Sequence, residues 1–298
     1  FIFIVSKCIN TKNIFKYSFI LYIISIVLLI YVLMFGKVIN GAKAWITIKG
    51  LSFQPSELTK LSLAIMLSDL AGKFKSTGIK SEFIFLLKVA ILILIPSVLV
   101  FLEPDSGAII FFLVITLAIL IFSDIHKFWF TIVFILIALF IGGFILLYLY
   151  NKDLLINLIG TSFFYRVERL ITFKTMSSYQ LENALVAMGS SSLLGTGLGK
   201  VSLYIPEAPT DFIFAFSISN FGYLCGFIIL SCYFLMDLFL INKIINMKKN
   251  TLKYILISFT SIFLFGQIIN IGMNLGLLPI IGIPLPFLSY GGSTLIIY

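Results

Sequence analysis

The chain has 298 residues, of which 60% are hydrophobic and only 11% are charged, and its formal net charge is +9. Soluble domains carry roughly 25% charged residues, so a soluble fold of this length could neither bury so much apolar surface nor expose it to water. The composition excludes a soluble domain and predicts an integral membrane protein. In that class a positive net charge is typical of lysines retained on the cytoplasmic side, rather than of nucleic-acid binding.

Seven apolar runs are long enough to predict membrane-spanning helices, which need roughly 20 residues each. In chain order they are 17–36, 57–71, 83–102, 106–122, 128–150, 212–241 and 254–282. An eighth run starts near Tyr290 and stops at Tyr298, and residue 1 is Phe, so we expect a fragment of a longer protein. The sequence predicts an all-α fold, a polytopic transmembrane helical bundle, with one domain over 1–298.

The lysines of the short loops predict the orientation of the bundle. Eleven lie on the side of residues 1–16, and they are Lys7, Lys12, Lys16, Lys73, Lys75, Lys80, Lys127, Lys243, Lys248, Lys249 and Lys253. The short loops of the other side carry Lys37, Lys43 and Lys49. Because such residues collect in short cytoplasmic loops, we expect the first side to be cytoplasmic and the second external. The polar segment 151–210 is then a large, partly ordered extracytoplasmic loop.

Most acidic residues gather on or near the predicted external side. Eight of the twelve lie there, and they are Glu57, Glu103, Asp105, Asp153, Glu168, Glu182, Glu207 and Asp211. Asp105 and Asp211, like Ser56 and Thr210, come just before apolar runs, where Asp, Ser and Thr cap the free amides of a helix start. Each residue taken alone therefore has a structural interpretation as a helix cap.

Taken together, the acids and nearby cations predict a mixed-charge site. The cations are Lys60, Arg166 and Arg169. A carboxylate in such a site acts as a general base or holds a divalent cation, and the cations clamp a phosphate or pyrophosphate. Lipid tails can lie against the helices, so the pattern favours a substrate with a lipid end and a phosphate-containing head.

Three amide side chains share one face of the last predicted span. Gln267, Asn270 and Asn274 follow at i, i+3 and i+7. At this depth amides favour the interior of the bundle, where hydrogen bonds between helices are the first interpretation. A polar cavity wall is the alternative.

At its polar motifs the chain resembles the SEDS family (shape, elongation, division, sporulation) of RodA-, FtsW- and SpoVE-type proteins. The matching stretches are Gly41–Trp45, Phe53–Lys60, Pro104-Asp105 with Gly107, Tyr179-Gln180, Gly195–Gly199, Pro206–Ala215, Asn270–Met273 and Gly276–Ser293. They occur in family order and cover nearly the whole chain. The resemblance implies about ten spans, of which the seven predicted from length and hydropathy are complete.

The resemblance also implies a function. Members of the family look like peptidoglycan glycosyltransferases that polymerise lipid II at the outer face of the bacterial cytoplasmic membrane, for cell elongation, division or sporulation. A class B penicillin-binding protein, a transpeptidase, is the implied partner. The essential aspartate of the family's TDF motif is Asp211 here, which we expect to be the catalytic base.

The other expected site residues follow from the resemblance and from the mixed-charge pattern. We expect substrate contacts from Trp45, Lys60, Asp105, Arg166, Arg169, Glu207 and Ser289. Asp105 and Asp211 are the candidates for a divalent cation, Mg or Mn, and no organic cofactor is expected.

Two other functions are weighed against the enzyme: a lipid II flippase and a non-catalytic scaffold for a penicillin-binding protein. A flippase should need polar groups through the membrane depth, whereas the ionisable residues here lie near span ends. Asp211 is retained, which argues against a scaffold. The chain departs from the family at Glu103, where Gln is usual, at Ser219-Asn220, where a Glu pair is usual, and at Asn274, where a small residue is usual.

Overall fold

The structure, a computed structural model, describes residues 15–39, 42–48, 51–161, 164, 168, 179–197 and 203–290. Within them, nine helices and three strands follow one another along the chain. They are α1 Ser18–Phe35, β1 Lys37–Ile39, β2 Ala42–Ile48, β3 Leu51–Phe53, α2 Pro55–Lys73, α3 Ile79–Leu102, α4 Ser106–Phe122, α5 Lys127–Tyr150, α6 Lys152–Ile159, α7 Tyr179–Gly189, α8 Ile213–Asn246 and α9 Thr251–Asn274.

Each of the seven complete predicted spans coincides with a helix, and the eighth apolar run, which starts near Tyr290, lies outside the described residues. Five helices, α1, α3, α5, α8 and α9, are long and apolar enough to cross a bilayer, and α4 is a shorter apolar helix. The chain is therefore a multi-pass membrane protein. The predicted end of the last span at 282 is wrong, because α9 ends at Asn274. Gly276 and Gly282 adopt positive φ angles beyond it, and prolines at 279, 284 and 286 prevent a continued helix.

Helix α2 occupies the centre of the bundle, where it packs against α1, α3, α4 and α9. Two of its buried hydroxyl groups are paired across helices: Ser62 Oγ lies 2.8 Å from Ser25 Oγ, and Ser68 Oγ lies 3.2 Å from Ser258 Oγ. Because protein rather than lipid surrounds this helix, it can carry polar residues that an outer span could not. By contrast, none of the described side chains in the most apolar stretch of α5 is buried in the protein.

A three-stranded antiparallel sheet follows α1, and the all-α prediction did not include it. The strands pair in the order β1-β2-β3, with Lys37 opposite Trp45 and Ile46 opposite Phe53. Lys43 joins the sheet to the end of α1, since its Nζ donates to the carbonyl oxygens of Leu33 at 2.8 Å and Met34 at 3.1 Å. The helical bundle remains the fold, and the sheet covers one of its ends.

The predicted external segment 151–210 contains helices α6 and α7. Helix α7 packs against α8 and α9. The Asn183 amide on α7 donates to the carbonyl oxygen of Tyr204 at 2.9 Å, which holds the chain just before the start of α8. This segment is thus partly built into the bundle, and the boundaries given to it stay a prediction.

Helix α8 is interrupted at Gly222, whose φ of 84° is not helical. The segment 191–197 packs into the break: the N–H of Gly197 donates to the carbonyl oxygen of Asn220 at 3.0 Å, and that of Leu224 donates to Leu193 at 3.2 Å. A Cβ atom on Gly222 would lie 2.1 Å from the Leu193 oxygen, so only glycine fits. Backbone groups freed by the break are therefore satisfied inside the protein, as a membrane environment requires.

Candidate active site

Asp211 lies in a tight turn directly before α8. The carbonyl oxygen of Glu207 accepts from the N–H groups of Thr210, Asp211 and Phe212 at 3.1 to 3.2 Å. Glu207 itself has a φ of 53°, which is uncommon for a residue with a side chain. The turn presents Asp211 at the end of the bundle that also carries the sheet and Asp105.

Two buried asparagines on α9 anchor this turn by hydrogen bonds to its backbone. Asn270 Nδ2 and Asn274 Nδ2 both donate to the backbone oxygen of Asp211, at 3.0 and 2.9 Å. Asn270 also donates to the oxygen of Ile283 at 2.8 Å, and Asn274 Oδ1 accepts from the N–H of Ala215 at 3.0 Å. Both asparagines are completely buried. They therefore fix the main chain of Asp211 while leaving its side chain out of these contacts.

The predicted interaction of the amide face with neighbouring helices is confirmed at Gln267. Its Nε2 donates to Asp237 Oδ1 on α8 at 3.0 Å. The same face was the signal in the sequence for Asn270 and Asn274, but the sequence did not reveal that both would contact the Asp211 turn.

A second segment, 285–290, holds the turn from the other side. Ser289 Oγ donates to the oxygen of Thr210 at 2.5 Å and accepts from the N–H of Leu285 at 2.7 Å. The N–H of Tyr290 donates to the oxygen of Pro209 at 2.8 Å. The buried hydroxyl of Ser289, predicted from the sequence to contact substrate, is thus engaged in positioning the turn.

The carboxylate of Asp211 is available for chemistry. No hydrogen bond to either of its oxygens is found among the residues that the structure describes, and Oδ2 lies near Gly282, where an added Cβ would be 3.5 Å away. Burial, and secondarily the negative charge of Glu207, raise the pKa of Asp211 to about 6. Such a group is mostly ionised at pH 7 and binds a proton more readily than an ordinary aspartate does.

Asp105 has a different environment. Its carboxylate accepts from Gln54 Nε2 at 2.7 Å, Ser56 Oγ at 2.9 Å and the N–H of Ala108 at 3.2 Å, the last as the N-cap of α4. The capping interpretation therefore holds for Asp105 and not for Ser56, which is a donor to it. Three donors suit an anion and leave little room for a cation. Within the described ranges, no group of three or more His, Cys, Asp or Glu side chains could hold a metal ion.

Glu103 is fully buried, and within the described part of the chain neither carboxylate oxygen has a hydrogen-bond partner. Burial, together with the nearby charge of Asp105, raises the pKa of Glu103 to about 8. Its side chain is therefore mainly protonated and uncharged at pH 7. A neutral carboxylic acid has nearly the shape and charge of a glutamine amide, which accounts physically for the exchange of Gln for Glu at this position.

Lys60 is buried between α2 and α4. Its Nζ lies 2.6 Å from Glu57 Oε1 and 4.3 Å from the centre of the Phe111 ring. Both contacts satisfy the ammonium within the protein. The ammonium group that was predicted to contact a phosphate is therefore buried rather than exposed to a ligand.

The remaining predicted site residues are brought together only in part. Trp45 is half-buried on β2, which contacts α1 and α2. The segment 281–283 lies near both aspartates: a Cβ on Gly107 would lie 3.6 Å from Asp105 Oδ1 and 3.7 Å from Ile283, and a Cβ on Gly282 would lie 3.5 Å from Asp211 Oδ2. Arg166 and Arg169 lie outside the described residues.

The spans and the turn they support define the class: a polytopic helical membrane protein with an acidic site at one end of the bundle. The family model of the FtsW, RodA and SpoVE type, described as "Cell cycle protein", matches residues 1–298. The chain belongs to this family.

A sequence relative agrees with this assignment, and solved structures share the fold. The chain is 36% identical over 296 residues to the probable peptidoglycan glycosyltransferase FtsW of Buchnera aphidicola subsp. Baizongia pistaciae, covering 95% of this chain and 73% of that protein. Its fold is similar to a chain in a peptidoglycan synthase complex that coordinates polymerization and crosslinking, with a TM-score of 0.75, 24% identity and coverage of 99% and 81%. The Thermus thermophilus rod shape determining protein RodA gives a TM-score of 0.65, 24% identity and coverage of 99% and 78%.

Proposed function

We propose that the protein is a peptidoglycan glycosyltransferase in which Asp211 is the general base. The strongest supporting observation is that the backbone of Asp211 is anchored while its side chain is not. Asn270 and Asn274 donate to the backbone oxygen of Asp211, whereas its carboxylate oxygens accept no hydrogen bond from the described residues. A base must be fixed in position and yet free to take a proton. The activity is the one named for the FtsW relative.

In the proposed reaction, a sugar hydroxyl of the acceptor attacks the anomeric carbon of a lipid-linked donor. A new carbon–oxygen bond forms as the bond between the anomeric carbon and the lipid pyrophosphate breaks, and the Asp211 carboxylate takes the hydroxyl proton. A pKa of about 6 leaves this carboxylate mainly ionised at pH 7. The pyrophosphate leaves with its electron pair and needs cationic stabilisation, which we assign to Arg166 and Arg169.

Lys60 is a weaker candidate for that role, because its ammonium is already paired with Glu57. We expect Trp45 to stack against a sugar ring and Glu207, which accepts from Thr210 Oγ1 at 3.1 Å, to border the acceptor. A divalent cation, where one takes part, should bind at Asp211 rather than at Asp105, whose oxygens already accept from three donors.

We further propose that the substrate is lipid II, that the site faces the outside of the bacterial cytoplasmic membrane, and that a class B penicillin-binding protein is the partner. The lysine distribution supports this orientation, since the Asp211 end lies opposite the lysine-rich loops. The partner is supported by the similar fold in a complex that coordinates polymerization and crosslinking.

The decisive experiment is polymerisation of labelled lipid II by the purified full-length protein with its partner in detergent. Asp211→Asn should lower the rate by roughly 100-fold or more, the usual contribution of a general base. Asp153→Asn is the matched control, since Asp153 is an exposed acid on α6 outside the site. Normal polymerisation by the Asp211 variant would overturn the mechanism.

Two further arms complete this experiment. Glycan product in detergent, where no second compartment exists, separates a polymerase from a flippase. Adding and chelating Mg²⁺ or Mn²⁺ in the same assay tests the cation: a rate that is unaffected by chelation removes it from the mechanism.

A further inference from the structure

A cavity of about 220 Å³ lies at the end of the bundle opposite Asp211, where α4 ends and α9 begins. Its lining consists of Phe122, Lys249, Lys253, Tyr254 and Ile257. Two of these side chains are cationic, and two present purely apolar surface. The cavity belongs to the lysine-rich end, which takes no part in the proposed glycosyl transfer.

The walls of the cavity are held by specific contacts. Tyr254 Oη donates to the oxygen of Phe122 at 3.1 Å, joining α9 to α4, and Lys253 Nζ donates to the oxygen of Met247 at 3.1 Å. Thr251 packs closely on α2, since a Cβ on Gly72 would lie 2.2 Å from its Oγ1. These contacts fix the helix ends that form the walls, so a ligand would not need to bring those helices together.

The charge of the cavity favours an anion. Lys249 forms an ion pair with Asp124, but its side chain is still 43% exposed and that of Asp124 is 56% exposed. Lys253 lines the same cavity and has no carboxylate partner among the described ion pairs. An anion can therefore bind to Lys253 and share Lys249 with Asp124.

The position of the cavity specifies the kind of anion. Phe122 ends one membrane helix, Lys249 lies just before the start of another and Lys253 lies in its first turn, so both ammonium groups lie near the membrane surface. Lipid phosphates occupy this level, while Phe122 and Ile257 offer apolar surface for the chain region. The cavity has roughly seven times the ~30 Å³ that one water molecule takes up in the liquid. This is room for a phosphodiester head group but not for whole acyl chains, which would extend into the bilayer.

We propose that this cavity binds the head group of an anionic phospholipid, with its phosphate between Lys249 and Lys253. The test measures binding of phosphatidylglycerol and of phosphatidylcholine with identical chains to the delipidated full-length protein, by native mass spectrometry. We expect clear preference for phosphatidylglycerol. The double variant K249Q/K253Q should bind it on the order of 25-fold more weakly, since each lysine near an anionic lipid contributes about fivefold.

The matched control is K80Q/K243Q, which removes two lysines from the same end of the protein but outside the cavity lining. It should retain the affinity of the unaltered protein, and so should K249R/K253R, which keeps both charges. Equal losses in the two glutamine variants would overturn the proposal, because attraction would then depend only on net charge. Absence of a preference over phosphatidylcholine, or competition by inorganic phosphate at equal concentration, would also overturn it. Melting curves of all variants verify that they are folded.

Discussion

Asp105 and Asp211 make an instructive pair, because each follows a proline motif and precedes a membrane helix near the same end of the bundle. The Asp105 carboxylate accepts three hydrogen bonds, from Gln54, Ser56 and Ala108. Asp211 is held by its backbone oxygen instead, through Asn270 and Asn274. One aspartate thus uses its carboxylate to join elements, and the other keeps its carboxylate free on an anchored main chain.

This difference separates a structural acid from a reactive one. A carboxylate that already accepts several hydrogen bonds has fewer oxygen lone pairs free to contact a substrate hydroxyl. A carboxylate that is partly buried without donors has a raised pKa, and burial raises that of Asp211 to about 6. The distinction is invisible in local sequence, since both residues look like helix caps.

The largest expected effect on activity comes from substituting each of the two aspartates in turn. Asp211→Asn should reduce polymerisation by about 10²-fold or more without lowering the melting temperature, because a neutral amide replaces a carboxylate whose charged form is disfavoured by burial. Asp105→Ala should do the reverse: it should lower the free energy of unfolding by about 2 kcal/mol, through the lost cap and unpaired donors, and affect activity less. Paired measurements of rate and melting temperature check this, and equal activity losses in the two variants would erase the distinction.

The next effect concerns the anchor of Asp211. Asn274→Ala removes one donor to the Asp211 oxygen and leaves the N–H of Ala215 without its acceptor. We expect an activity loss approaching 100-fold, since misplacement of a catalytic group by about 1 Å has that effect. The acid limb of the pH–rate profile should keep its position, because the base is unchanged. A variant that melts lower but retains its full rate when folded would show that Asn274 serves stability only.

A smaller effect is expected from pH. The base works in its ionised form, so the rate should be full well above pH 6 and should fall as the pH drops through about 6. Glu207→Gln removes the negative neighbour that contributes to the raised pKa, so the acid limb should move to lower pH. The rate of polymerisation between pH 5 and 8 measures both. An acid limb that moves upward in the variant would contradict the assigned interaction.

The smallest effect on activity is expected from substituting Glu103, which lies two residues before Asp105. At pH 7 Glu103→Gln replaces one neutral group by another and should leave the rate close to that of the unaltered protein. Stability should respond, because the pKa of Glu103 is raised to about 8 in the folded protein.

The sign of the Glu103 effect follows from proton binding. Between about pH 4.5 and 8 the folded state retains a proton that the unfolded chain loses, so the free energy of unfolding falls as the pH rises through this window. The glutamine variant lacks this dependence. It should melt higher than the unaltered protein at pH 8, with the difference disappearing toward pH 4.5. A difference that grows toward low pH would show that Glu103 is charged in the folded protein.

Much of the fold could be predicted because it depends on local properties. The apolar runs marked seven of the nine described helices, since transfer of a segment into lipid depends mainly on its own length and composition. The errors lie where contacts with other parts of the chain determine the structure: strands β1, β2 and β3 form by pairing with one another, and α9 ends at Asn274 because of the loop that follows.

By itself, the sequence determined the membrane class, the helices and the motif that contains Asp211. The tertiary structure alone decided which acid is free. Asn274 lies 63 positions from Asp211, and Gln54 lies 51 from Asp105. A hydrogen bond forms only when packing brings donor and acceptor within about 3 Å, and no local pattern encodes that distance. The role of each carboxylate is therefore a property of the packed bundle.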